Sequence, residues 1–140
     1  MKRIVIPTAL LLALIVGFAL GCAFEVFQAS KDIGVQMYGP LFQSRDAALD
    51  AYKTADPAIA IWVLQQHLVH IDKFERDGFP TPEDLVPERF STHARLAKLY
   101  ATQGDSQLEN KEVERALATG FMHLTNKDDV YSALSMYDRH

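Results

Sequence analysis

The chain has 140 residues, with 14 Lys and Arg against 18 Asp and Glu, and a formal net charge of −4. Without Lys2 and Arg3 the balance is 12 basic to 18 acidic residues, which argues against a nucleic-acid partner because such surfaces need clustered cations. The single cysteine excludes an intramolecular disulfide.

An uncharged N-terminal run, Ile4–Phe24, predicts a membrane anchor. A helix of this length reaches about 31 Å, which matches a hydrocarbon core of about 30 Å, so residues 4–24 are expected to contact lipid. Lys2 and Arg3 before the run and Glu25 after it favour a cytoplasmic N-terminus. The sequence therefore predicts a single-pass protein of the inner or plasma membrane, with its C-terminal domain periplasmic or extracellular.

Two other interpretations concern the same segment. Ala19, Leu20 and Gly21 could form the cut site of a cleaved secretory signal. With Cys22 they resemble a bacterial lipobox, although Ala19 and Leu20 stand in the opposite order, and this resemblance makes Cys22 a candidate lipidation site. The retained anchor is favoured because the run exceeds the about 7–15 apolar residues of a signal sequence.

The rest of the chain is predicted to contain a connector and one helical domain. Residues 25–43 are a juxtamembrane connector after the anchor at 1–24, with irregular backbone at Gly34 and Gly39-Pro40. The domain covers residues 44–140, a length typical of one compact unit. Its first helix is expected to begin after an N-cap at Ser44.

The next segment predicts the strongest helix of the chain. Asp56 followed by Pro57 is an N-cap and a first-position proline, and Gly78 is a left-handed stop. Apolar residues recur at helical spacing, and further ones widen the apolar surface, so this helix is expected to be covered on several sides. The periodic positions are Ile61, Leu64, Leu68 and Ile71, and the widening ones are Trp62, Val63 and Val69.

The C-terminal half predicts a loop and then three helices. The prolines of FPTPEDLVPERF, residues 79–90, predict a loop with one short turn at 83–86, followed by a helix capped by Ser91 or Thr92. Two further helices begin at Ser106 and after Asn126. No segment alternates with a period of two, so the exported part is predicted to be all-α.

Within the helix that begins at Ser106, Glu112 and Arg115 are spaced for an ion pair on the helix surface. Gly120 is its expected stop. Asp128 and Asp129 stand near the next helix start, where acidic side chains complement the helix dipole.

Residues 96–117 resemble a tetratricopeptide-type helical hairpin, with Glu109 where that family has a small residue. An earlier segment, 48–68, has a similar pattern, but its Tyr52 precedes Tyr100 by 48 residues against a repeat of about 34. The resemblance implies two antiparallel helices and a partner-binding surface between stacked helices. It is carried by Leu96, Ala97, Tyr100, Gly104, Asp105, Ala116 and Leu117.

The histidines of the central helix raise the question of a metal site. His67 and His70 are three residues apart, with Asp72 and Glu75 nearby, but no HExxH pattern is present. Both are therefore predicted to be surface or rim histidines, and neither a metal nor a cofactor is predicted. The chain also lacks GxSxG, GxxxxGK[ST] and GxGxxG, so it is not expected to be an enzyme.

Three residues are candidates for a partner surface: Trp62, Tyr100 and His93. Tryptophan is enriched in binding hot spots, although the apolar sequence around Trp62 favours a place in the core. The predicted function is that of a membrane-anchored helical interaction module whose partner is another envelope protein. The alternative is a lipoprotein or secreted structural factor processed near Cys22, and a metal-dependent enzyme is the least favoured.

Overall fold

The computed structural model describes residues 38–78 and 81–139, and this part of the chain is helical without any β-strand. The chain divides into two compact units, Met1–Gly39 and Pro40–His140, and nearly all described residues belong to the second. The prediction of an all-α domain is confirmed for these residues. The helices are α1 (38–54), α2 (Pro57–Asp77), α3 (Pro82–Thr102), α4 (Ser106–Ala118), a 3-10 turn (Phe121–His123) and α5 (Lys127–Tyr137).

Helix α1 includes part of the segment predicted as connector. Residues 38–54 are helical, so the predicted break at Gly39-Pro40 and the predicted N-cap at Ser44 are wrong. Leu41 and Ala48 are seven residues apart on one face and only 4% and 1% exposed, and a continuous helix buries both. The Ser44 hydroxyl lies inside the helix and donates to the Leu41 carbonyl at 2.9 Å.

Helix α2 begins and ends where its local signals predict. The Asp56 carboxylate accepts the Ala58 backbone N–H at 2.9 Å, and Pro57 occupies the first helical position. Gly78 ends the helix with a φ of 73°, a left-handed conformation that favours glycine. Each of these signals acts between residues a few positions apart, which explains why they can be read from sequence.

Helix α3 begins well before the predicted cap at Ser91 or Thr92. Residues from Pro82 onward are helical, so the predicted loop is wrong for 82–90. The Asp84 carboxylate accepts hydrogen bonds from the Thr81 backbone N–H at 3.2 Å and from its hydroxyl at 2.8 Å. Proline is tolerated at the first helical position because that N–H has no partner within the helix.

Pro87 lies inside α3, where the lost hydrogen bond and the ring clash cost about 3 kcal/mol. On either side of it, Leu85 and Phe90 are 1% and 0% exposed. Burial of each such side chain contributes about 1.5–3 kcal/mol. Together these two contributions offset the proline, so packing extends the helix through a segment that local propensity would break.

The buried side chains form two clusters, and α3 contributes residues to both. The first joins α3, α4 and α5, and consists of Phe90, Ala94, Ala97, Val113, Ala116, Val130, Ala133 and Leu134. The second joins α1, α2 and α3, and consists of Ala48, Ala60, Leu64, Leu96, Leu99 and Tyr100. Helix α3 is therefore the central element of the domain.

Helix α4 begins at Ser106 and α5 follows its cap at Asn126, as predicted, and the cap of α4 is Asp105. The Asp105 carboxylate accepts the Leu108 backbone N–H at 3.0 Å, and the Asn126 side chain accepts that of Asp129 at 3.0 Å. Gly120 follows the end of α4 with a φ of 72°. Helices α3 and α4 form an α-helical hairpin around the turn at Gly104.

Candidate functional site

Helix α2 has two opposite faces. Its inner face is at most 2% exposed and consists of Ala60, Leu64, His67 and Ile71. On the opposite side, Ile59, Trp62 and Val69 are 55%, 61% and 54% exposed. At about 100° per residue these three side chains fall on one strip of the helix surface. We call Ile59, Trp62 and Val69 the α2 outer face.

The α2 outer face lies in an uncharged stretch of sequence. Residues 57–71 contain no Asp, Glu, Lys or Arg. A solvated helix face is normally rich in charged side chains, whereas the centre of a protein interface is depleted of charge and enriched in aromatic residues. The α2 outer face therefore has the composition of a binding surface.

Two predictions about α2 are wrong. Trp62 was expected in the core but is exposed, and the helix was expected to be covered on several sides, whereas in the described part of the chain it buries one face only. The reason is that α1 and α3 pack on the same side of α2. The sequence did not identify Ile59 and Val69 as part of a partner surface. Their helical spacing, which places them opposite Leu64 and Ile71, could have indicated it.

Tyr100, another candidate for the partner surface, lies in the second core cluster and is 9% exposed. Its hydroxyl accepts a hydrogen bond from Gln65 Nε2 at 3.3 Å, which joins α3 to α2. Burial, followed by the nearby carboxylate of Glu112, raises the pKa of the Tyr100 hydroxyl. The Tyr100 side chain therefore holds α3 against α2 and is not available to a partner.

His93, the third candidate, is 8% exposed and lies between α3 and α4. Its Nδ1 is 2.6 Å from a carboxylate oxygen of Glu112, and the other oxygen accepts from Arg115 at 2.6 Å. The predicted ion pair of Glu112 and Arg115 forms, with His93 as a third member, but its prediction as a surface pair is wrong because Glu112 is only 5% exposed. Burial by itself would raise the pKa of Glu112, but His93 and Arg115 outweigh it and hold that pKa below the usual value of a glutamate.

We expect Glu112 to make stability depend on pH in acid. Its pKa is lower in the folded than in the unfolded chain, so its stabilisation is present above the unfolded pKa and is lost as pH falls through the folded one. Urea midpoints measured between about pH 6 and pH 3 should therefore fall in the wild type and fall less steeply in Glu112→Gln. Exposed Glu114→Gln is the control and should keep the wild-type slope. Equal slopes for all three proteins would contradict this assignment.

His67 is 2% exposed, so the prediction that it is a surface histidine is wrong. Its Nδ1 is 2.9 Å from the Ser44 hydroxyl on α1. Its Nε2 makes no hydrogen bond with a described residue and lies 3.8 Å from one carboxylate oxygen of Glu88 on α3. The other oxygen of Glu88 is 3.6 Å from Arg45. A buried imidazole needs polar partners, and here they come from residues far away in the sequence.

His67 and His70 do not converge on one site, because His67 faces the core and His70 is exposed. Among residues 38–78 and 81–139, no group of three or more His, Cys, Asp or Glu side chains is arranged to hold a metal ion. The Ser44 hydroxyl donates to a backbone carbonyl while it contacts His67. Ser44 of α1, His67 of α2 and Glu88 of α3 thus lie together where three helices meet.

Glu109, where the tetratricopeptide pattern has a small residue, is 6% exposed on α4. Its carboxylate accepts from the Tyr131 hydroxyl at 2.7 Å and lies 2.5 Å from Lys127 Nζ. The hydrogen bond from Lys127, followed by that from Tyr131, lowers the pKa of Glu109 against the effect of burial. This position therefore connects α4 to α5 through polar contacts.

The predicted anchor at Ile4–Phe24 and the candidate lipidation site Cys22 lie outside the described residues. Within 38–78 and 81–139, no helix combines the length and apolar character needed to cross a membrane. Comparison of the chain with family models, curated proteins and solved structures found no match. The tetratricopeptide resemblance stays a prediction.

Proposed function

We propose that this chain is a single-pass membrane protein whose helical domain, on the non-cytoplasmic side, binds another envelope protein through the α2 outer face. The observation that carries the proposal is the 61% exposure of Trp62, with Ile59 and Val69 also exposed, in a stretch of sequence, 57–71, that has no charged residue. Aromatic residues are enriched and charged residues are depleted at the centre of protein interfaces. The proposal assigns binding and no reaction.

The membrane part of the proposal rests on the uncharged run Ile4–Phe24 and on the charges that flank it. A retained anchor keeps the helical domain at the membrane surface, which restricts its search for a partner to the same envelope. Processing at Cys22 is the alternative, and it would leave the binding function unchanged while replacing the helix by a lipid.

The dimensions of the α2 outer face favour a helical segment of a partner as the occupant. From residue 59 to residue 69 the helix rises about 15 Å, so the patch is of the order of 150 Å². A standard interface between two folded proteins buries about 800 Å² on each partner, so a face of this size fits one helical segment and not a whole folded surface. Apolar residues at helical spacing match the apolar face of a partner helix, and the tetratricopeptide resemblance of 96–117 supports the same class of function.

Site-specific photocrosslinking in membranes tests the proposed surface. A photoreactive residue in place of Trp62 should yield one discrete adduct with another envelope protein, and the same residue at exposed Lys111 on α4 should not. An adduct with twice the mass of the chain would show a second copy on this face and contradict the proposal. Equal adducts from both positions would also contradict it.

Substitution of Trp62 then measures the contribution of this face. Trp62→Ala should weaken binding of the purified, crosslinked partner by about 2 kcal/mol or more, as expected for a hot-spot tryptophan. It should change the free energy of unfolding by less than about 0.5 kcal/mol, because the side chain is exposed. Exposed Met136→Ala on α5 is the matched control and should leave binding unchanged.

Mass spectrometry of the mature N-terminus distinguishes the membrane alternatives. An N-terminal peptide that begins with Met1, recovered from the membrane fraction, supports the retained anchor and eliminates both processed forms. A peptide that begins at a lipid-modified Cys22 would replace the anchor by a lipoprotein. Recovery of the full chain from the soluble cytosol would contradict both.

A further inference from the structure

A cleft of about 590 Å³ lies between α1, α3 and the end of α5, away from the α2 outer face. Its charged lining consists of four cationic and two anionic side chains, a formal excess of two positive charges. These are Arg45, Lys53, Arg95, Arg139, Asp46 and Asp138. Residues 38–140 as a whole carry 11 basic and 16 acidic side chains, so a cationic cleft is the reverse of the average surface.

Arg95 is the most buried of the four cations that line this cleft. It is 4% exposed, so its guanidinium has given up most of its hydration. Its Nη2 donates to Asp138 at 2.5 Å, and its Nη1 reaches the Ser91 hydroxyl only at 3.4 Å. Its Nε has no hydrogen-bond partner among the residues that the structure describes. The Nε itself is closed to solvent, but the two Nη groups carry four N–H donors and use only two of them, so Arg95 can still donate to a ligand through its Nη groups.

Aromatic rings hold the Arg95 guanidinium in place. Its central carbon is 5.8 Å from the ring centre of Tyr52 on α1 and 5.9 Å from that of Tyr137 on α5. Rings at this distance attract a cation and restrict its movement. An arginine that is already oriented loses less conformational entropy when it binds a planar or tetrahedral oxyanion.

Two further cations of the cleft have donors to spare. Lys53 is exposed and makes no hydrogen bond or ion pair with any described residue. The Arg139 side chain donates only through Nε, to the Ser135 carbonyl at 3.0 Å, which leaves its Nη groups free to contact a ligand. Leu49 gives the cleft an apolar wall. The cleft therefore combines several available N–H donors with room for a small organic group.

We propose that this cleft binds a phosphate group, with Arg95 as the central donor and Lys53 and Arg139 at the entrance. A phosphate monoester carries about −1.5 to −2 charges near pH 7, which balances the excess of two positive charges on the lining side chains. Arginine matches such an oxyanion through its planar set of donors. A soluble phosphorylated compound and a lipid headgroup share this chemistry.

Phosphate titration of the full chain in phosphatidylcholine nanodiscs, followed by phosphorus NMR at constant ionic strength, tests the proposal. Saturable binding is expected. Lys53→Gln/Arg139→Gln should weaken it by about tenfold or more, since two charge-assisted contacts are lost. Arg76→Gln/Lys98→Gln is the control, because it removes one exposed Arg and one exposed Lys outside the cleft. Absence of saturable binding, or equal weakening by both double variants, would overturn the proposal.

Nanodiscs that also contain phosphatidylglycerol distinguish the two sources of phosphate. If anionic lipid abolishes the binding of added phosphate in the wild type, the headgroup occupies the cleft. If binding persists, the ligand is a soluble phosphate compound. Both outcomes support the site, and circular dichroism of each variant shows that the fold is retained. The substituted residues are exposed, so the domain does not depend on them for its core.

Discussion

Phe90→Ala should reduce the free energy of unfolding by about 3–5 kcal/mol, the cost of removing a fully buried aromatic side chain. Phe90 is 0% exposed, and its ring centre lies 4.5 Å from that of Phe121 at an angle of 25°. Its removal leaves a cavity between α3, α4 and α5 that the small residues around it cannot fill. Domains are stable by about 5–15 kcal/mol, so the loss is a large part of the total.

Urea denaturation of the full chain in detergent micelles, followed by far-UV circular dichroism, measures this effect. Exposed Trp62→Ala removes an even larger aromatic side chain and should change stability by less than about 0.5 kcal/mol. The experiment also examines the start of α3, because Phe90 lies in the segment where sequence predicts a loop. A cost below about 1 kcal/mol would mean that Phe90 is not packed in a core.

Leu64→Ala should reduce the free energy of unfolding by about 2–5 kcal/mol. Leu64 is 0% exposed on the inner face of α2, where it packs with residues of α1 and α3. The loss should therefore appear as separation of α2 from its two neighbours, and hydrogen exchange should increase in α2 before it increases in α4 and α5.

The same helix offers two controls for Leu64. Leu64→Met nearly conserves volume and should cost less than about 1.5 kcal/mol. Val69→Ala lies on the α2 outer face and should stay within about 0.5 kcal/mol of the wild type. If Val69→Ala were as costly as Leu64→Ala, the two faces of α2 would be assigned the wrong way round.

The helix caps illustrate what local sequence can predict. Asp56, Asp105 and Asn126 each accept a backbone N–H two or three residues further along the chain. The energy of such a cap depends on neighbours in sequence and hardly on the rest of the fold. These helix starts were therefore predicted correctly without knowledge of the tertiary structure.

The rest could not be predicted, as residues 38–43 of α1 and 82–90 of α3 show. Both segments carry proline and, in α1, glycine, which local rules assign to connectors. Burial of Leu41 in α1 and of Leu85 and Phe90 in α3 depends on helices that lie elsewhere in the chain. A local pattern cannot weigh the cost of a proline against contacts that form only after the helices assemble.

The candidate sites divide in the same way. Sequence made Trp62 a candidate for the partner surface but favoured a place in the core for it, and it predicted His67 on the surface. In the structure Trp62 is exposed and His67 is buried. The cleft around Arg95 was not predicted at all, because its side chains come from α1, α3 and α5. In the sequence the cations of this cleft stand far apart, on α1, on α3 and just after α5, and no local pattern connects them.

Sequence alone determined that the described part is helical, where α2, α4 and α5 begin, and that one N-terminal run has the length and composition of a membrane span. These properties depend on periodicity, capping and hydropathy, which are local. Only the tertiary structure decided which face of α2 is buried, that residues 38–43 and 82–90 are helical, and which charges share a cleft. Those properties depend on contacts between residues far apart in the chain. The free energy gained by burying side chains in these contacts exceeds the local cost of the proline and glycine residues in the same helices.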